Sequence, residues 1–197
     1  MRIACGSFSY SEIPLKFDSI LGISGTVETI SNYQRSIIYG EYGFAYETYI
    51  PSVFGQNNLK WSTTENLYVE NKNDYQQRIR KLIDNSLQGN LGGQRAVLVF
   101  FKDEKELMDF YNSSIISDIR GKVNYVTEQA SLEEVSAAVK KATHAGAITL
   151  LTRAFSRGTD FIILDEIVKS NGGTCTIQTF VSESASEEVQ IKGRSAR

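Results

Sequence analysis

The sequence predicts an α/β protein built on a doubly wound, mostly parallel sheet with helices on both faces, and three observations carry that expectation. Residues 96–101 (AVLVFF) form a continuous apolar run rich in Val and Phe, the pattern of a strand buried on both faces. From there to the end, short β-rich runs alternate with helix-period segments opened by capping signals, which implies crossover connections and parallel strands. The 197 residues are 41% hydrophobic and 22% charged, with 15 Gly and 2 Pro, so the chain is long and apolar enough to bury a core without disulfides or a structural metal.

Taken in order, residues 18–24 are expected to be a strand and residues 29–39 a helix with Ile30, Tyr33 and Ile37 on one side. Residues 44–50 alternate like a strand until Pro51 ends them, and 52–64, punctuated by Gly, Asn and Ser around the sole Trp61, read as a long loop. Tyr75, Ile79, Leu82 and Ile83 mark the next helix. After the 96–101 strand, Asp103 caps a helix carrying Leu107, Phe110 and Tyr111, with Glu106 three residues beyond the cap. Residues 123–127 (VNYVT) are a short strand. Ser131 and Glu134 then form a capping box for a helix whose apolar face is Leu132, Val135, Val139 and Ala142. Residues 147–151 are another buried strand, followed by a polar loop, the apolar run 161–164, the turn Asn171-Gly172-Gly173 and a Thr-rich strand over 174–180. Ser184 with Glu187 opens a last helix bearing Gln190, Arg194 and Arg197.

Several function classes drop out on composition. Cys5 and Cys175 have no CxxC spacing, which speaks against a disulfide framework or a zinc site and makes a reducing, cytoplasmic compartment the default. His144 is the only histidine, so HExxH chemistry is excluded, and its place after a helical run suits a helix C-terminus better than a catalytic base. With 21 basic and 23 acidic side chains, the net charge of −2 gives no global support for binding a nucleic acid. The apolar runs are far short of the ~20 residues of a membrane span.

Two stretches stand apart from structural filler. In the loop after the 147–151 strand, Gly158 permits close backbone approach, while Arg157 and Asp160 supply a cation and a hydroxyl acceptor. On the last helix, Gln190, Arg194 and Arg197 fall at i, i+4 and i+7, presenting an amide and two guanidinium forks on one face. That face suits a phosphate, but on spacing alone a solvated helix end, where Arg is favoured by the dipole, is the preferred reading.

These residues also form a recognisable set. RGTD at 157–160, a double glycine, and then QIKGRSAR at 190–197 resemble motifs V and VI of the second RecA-like domain of superfamily 2 motor ATPases, most closely the SecA preprotein translocase ATPase family. In the same order, ILGISGT at 20–26 is similar to motif III, RAVLVFF at 95–101 to motif IV, and AGAITLLT at 145–152 to the strand feeding motif V. The resemblance implies that Arg194 and Arg197 are the paired motif VI arginines, one of them an arginine finger, a device worth roughly 10³–10⁵ in phosphoryl-transfer rate. It further implies that Gln190 helps position that face, that Arg157, Gly158 and Asp160 touch nucleotide and couple domains, and that Gly25 and Thr26 link hydrolysis to domain movement. The chain departs from the family pattern at Arg153, Ala154 and Phe155, at Ser156 in place of Gly, and at Ala196 in place of the second motif VI glycine.

No GxxxxGK[ST] phosphate loop occurs in the sequence. Residues 89–94 are glycine-rich but lack Lys and precede their strand, and 161–166 (FIILDE) imitates a Walker B segment without a phosphate loop upstream to serve. The expectation is therefore a segment of a larger motor. Residues 1–35 would belong with a first nucleotide-binding domain and 36–197 would form the second RecA-like domain. ATP and Mg²⁺ would be held mainly by the first domain, and the chain alone would be inactive. The resemblance implies as partners that first domain, an unfolded polypeptide substrate and a membrane protein channel, with a cytoplasmic location that is peripheral at the membrane. A superfamily 2 RNA or DNA helicase domain and a non-catalytic interaction domain on the same fold are the alternatives.

Overall fold

A computed structural model describes residues 7–51, 53 and 59–194. The chain divides into two compact units, Met1–Val53 and Phe54–Arg197.

In the first unit, Ser31 and Gln34 close a capping box on helix α1 (Asn32–Arg35), which runs directly into a π-helical turn over Ser36–Glu41. The helix expected over 29–39 is thus present in two short pieces. The strands expected over 18–24 and 44–50 are not formed. Both segments carry strand-like side chains, but a strand exists only through hydrogen bonds to a neighbour, and neither has one among the described residues. Thr26 is the only buried residue described in this unit.

The second unit holds the sheet. Helix α2 (Thr63–Asn66) shortens the expected 52–64 loop, of which residues 52 and 54–58 lie outside the described residues. Helix α3 (Lys72–Leu87) leads into β1 (Val97–Phe101), α4 (Glu104–Asn112), β2 (Val123–Val126), α5 (Leu132–Lys141), β3 (Ile148–Thr152), α6 (Glu166–Ser170), β4 (Cys175–Gln178) and α7 (Ala185–Lys192). All four strands are parallel in the order β2-β3-β1-β4, with Val97 opposite both Ile148 and Cys175 and with Val123 opposite Ile148.

Strand alternation sorts the core into two layers. Val97, Val99 and Phe101 of β1 point with Ile148 and Leu150 toward Ile79 and Ile83 of α3 and Leu107 and Phe110 of α4. Leu98 and Phe100 point the other way, with Leu151, Val126 and Phe161, toward Val135, Ala138 and Val139 of α5 and Ile191 of α7. The doubly wound expectation holds: helices cover both faces. The crossovers through α4 and α5 run in opposite directions along the sheet and use opposite faces, so they share one hand, as sheet twist demands.

The capping signals at Asp103 and Ser131 are formed as expected, Asp103 accepting from the Glu106 N–H at 2.9 Å and Ser131 closing a capping box with Glu134. Leu132 corrects one expectation. It is 89% exposed because it occupies the first helical position, before α5 reaches the sheet; the partly buried stripe that packs on the core begins at Val135. No described helix is long and apolar enough to cross a membrane.

Candidate functional site

The chain leaves β1 toward the α4 face and leaves the neighbouring β3 toward the α7 face, so the carboxyl ends of these adjacent strands part and open a crevice. That is the switch point where open parallel sheets hold ligands. A depression of about 430 Å³ lies there, lined by Lys102 after β1, Glu128 after β2, Arg153, Ser156 and Arg157 after β3, and Glu187 of α7.

Its wall is an ion-pair network. Arg153 Nε and Nη2 donate to the two Glu187 oxygens at 2.7 and 2.9 Å, a bidentate fork, and Nη1 donates to Glu183 at 2.7 Å. Ser156 Oγ adds a third bond to Glu187 at 3.2 Å. Glu187 is only 4% exposed, and a carboxylate so placed remains ionised because the guanidinium compensates its desolvation. Accordingly the Arg153 fork holds the Glu187 carboxyl below the ordinary carboxylate range despite burial, and the same guanidinium lowers Glu183. With Arg153 so committed, Lys102 and Arg157 are the lining cations left to face a ligand. Lys102 forms no ion pair among the described residues, and Arg157 donates at 2.9 Å to the hydroxyl of Ser184, the N-cap of α7.

The residues singled out from the sequence distribute unevenly around this crevice. Arg157 lines it. Gly158 and Asp160 follow in the exposed continuation of the loop, and Gly158 has φ +72°, a conformation that glycine adopts without strain. Gln190 is half-buried on α7. Arg194 corrects the expected helical face: Gly193 ends α7, its N–H bonding the Val189 carbonyl at 2.9 Å, so Arg194 lies beyond the helix. From there its guanidinium donates to the carbonyls of Ser156 and Thr159, fastening the end of α7 to the RGTD loop. Arg197 lies outside the described residues. Gly25 and Thr26 lie in the first unit. Thr26 donates its N–H to Ser24 Oγ at 3.1 Å and accepts from the Thr29 N–H at 3.0 Å, and a Cβ on Gly25 would meet nothing.

Of the two motif-like segments, 89–94 lies away from the crevice, and 161–166 runs away from it as far as Asp165. Phe161 is buried, but Ile162 and Leu164 are 61% and 73% exposed, and no strand forms. Asp165 instead caps α6 and accepts the Ala145 N–H at 2.9 Å, while Asn171 donates to the Gln94 carbonyl at 2.8 Å. Ala145 precedes β3 and Gln94 precedes β1, so residues 89–94 and Asp165 sit at the amino end of the sheet, opposite the crevice, while Phe161 packs on Phe100. His144 is exposed there, 3.8 Å from Asp165, in keeping with its structural reading.

Lys102, Arg153 and Glu187 were not singled out from the sequence. The available signals were the departure at Arg153 and an acidic residue in the first turn of the helix that Ser184 caps. The crevice offers cationic donors that fit phosphate oxygens. Among the described residues there is no group of three or more His, Cys, Asp or Glu that could hold a metal ion. Fold and crevice together define a parallel-sheet α/β protein with a polar, cation-bearing site at its switch point. No protein-family model and no curated protein matches the chain.

Proposed function

We propose that this chain acts as the second, RecA-like motor domain of a SecA-like ATPase, contributing the arginine-bearing half of a nucleoside-triphosphate site whose phosphate loop and Mg²⁺ belong to a first nucleotide-binding domain. The observation that carries the reading is convergence: Arg194 is bonded to Ser156 and Thr159, so two segments 35 residues apart, each resembling a motor motif, meet at the carboxyl end of β3. Nothing in a plain α/β fold requires that meeting.

ATP bound to the first domain would supply a transferable phosphoryl group. Arg157 and Lys102 would then offer positive charge toward its oxygens, and Arg197, three residues past the loop-anchored Arg194, would reach across as the finger. Finger arginines act on charge that develops in the transition state, so they change turnover more than ground-state binding. An unfolded polypeptide as cargo, with a membrane channel as its destination, is the substrate class the resemblance supports, and the net charge of −2 is consistent with it.

The test joins the chain to a first nucleotide-binding domain of SecA type and compares wild type with Arg197→Ala. The expected outcome is a fall in kcat of about 10³ or more with ATP affinity nearly unchanged. An unchanged kcat would remove the reading, and turnover stimulated by RNA in place of unfolded polypeptide would assign the chain to the helicases.

A further inference from the structure

The crevice wall contains a device that the motif resemblance does not include. Arg153 and Ser156 belong to the loop after β3, and Glu187 belongs to the first turn of α7. They meet through the bidentate fork and the serine hydroxyl described above. Ser184, one turn earlier, receives Arg157 of the same loop. The far end of α7 returns to that loop through Arg194. Both ends of an eight-residue helix are therefore tied to one loop of the crevice, and the near tie is a carboxylate buried to 4% exposure. A buried ion pair adds little net stability over an apolar contact of the same size, but its geometry is exacting, since displacing either partner leaves a desolvated charge alone. Such a pair fixes register more than it adds stability.

We infer that Glu187 is a positioning residue: by locking onto Arg153 and Ser156 it sets α7 in a single register against the RGTD loop, and so fixes the crevice-lining Arg153, Ser156 and Arg157 relative to α7. This rests on the function proposed above, because that register matters to turnover only if the crevice takes part in it. The carboxylate itself touches no reacting group. It faces Arg153 and Ser156 from the loop, with Glu183 as its acidic neighbour on the segment leading into α7.

Two measurements test it. In the full 197-residue chain, amide hydrogen exchange is followed in E187Q, in S156A and in the charge-exchanged pair R153E/E187R. E187Q is expected to speed exchange in residues 153–160 and in α7 by roughly tenfold or more while β1 and β3 stay protected, S156A to do the same more weakly, and the exchanged pair to recover most of the protection. Unchanged exchange in those segments, or a uniform rise across the sheet, would overturn the inference. S156A carries the same test if E187Q does not fold. In the chain joined to the first nucleotide-binding domain, E187Q is expected to lower kcat about tenfold with KM within about twofold, and R153E/E187R to restore it. A normal kcat in E187Q alongside a crippled R197A would overturn the positioning role and leave the proposed function standing. A kcat indifferent to R197A would overturn the proposed function and this inference with it.

Discussion

Replacing Phe161 by alanine tests how the loop at the crevice is anchored. Phe161 directly follows the RGTD sequence and is 3% exposed, its ring set edge-on to that of Phe100, with centroids 6.4 Å apart and planes at 87°. Truncating a buried Phe costs about 3–5 kcal/mol, of which an aromatic pair of this geometry accounts for about 0.5–1.5 kcal/mol. At a urea dependence of about 2 kcal/mol per molar, the unfolding midpoint should fall by about 2 M. Ile162→Ala and Leu164→Ala serve as internal controls. Both side chains are mostly exposed, so each should move stability by no more than about 0.5 kcal/mol. If residues 161–164 were instead the buried strand of a Walker B segment, all three truncations would cost about 2–5 kcal/mol. Urea titrations of the three variants, followed by circular dichroism, decide the matter. A Phe161→Ala cost below about 1 kcal/mol, or a cost above about 2 kcal/mol at Ile162 or Leu164, would refute the packing argument.

Three further outcomes follow from the same structure. Ser184→Ala removes the N-cap of α7 and the acceptor of Arg157, and should cost about 1 kcal/mol in urea titrations; no loss would mean that the cap is not formed in solution. Leu132→Lys should leave stability within about 0.5 kcal/mol of wild type, since its side chain meets solvent, and a large loss in thermal unfolding would place it in the core after all. The carboxyls of Glu187, Glu183 and Asp165 titrate below their ordinary values, Asp165 chiefly through the Ala145 N–H. A depressed native value means that these groups stabilise the fold fully above about pH 5 and lose that contribution as pH falls through the lowered values. Stability should therefore be flat near neutrality and decline in acid, with a lower plateau and a shallower acid limb in E187Q; superimposable pH profiles for the two proteins would contradict the pairing.

The second unit was legible because its signals are local. A run such as 96–101 buries on both faces wherever it lies in a parallel sheet, and the Asp103 and Ser131 caps act within a single turn. The first unit was not legible in the same way. Residues 18–24 and 44–50 have strand-like side chains, yet pairing depends on a distant partner that no local pattern encodes. At the crevice, the RGTD loop could be read from its sequence, whereas the Arg153–Glu187 fork joins residues 34 apart and becomes visible only when β3 and α7 are brought together. The expected helical face carrying Gln190 and Arg194 stops at Gly193, a residue type that ends helices and was a stop signal in plain view.

The central claim is that the crevice at the carboxyl ends of β1 and β3 faces a nucleotide phosphate. It is tested most directly with an ATP analogue carrying a photoreactive group on its γ-phosphate, bound to a first nucleotide-binding domain of SecA type joined to this chain. Label recovered on the peptides spanning residues 153–160 and 190–197, and lost in excess ATP, is the expected result. Label confined to the 89–94 or 165–171 segments at the amino end of the sheet, or none on this chain, would contradict it.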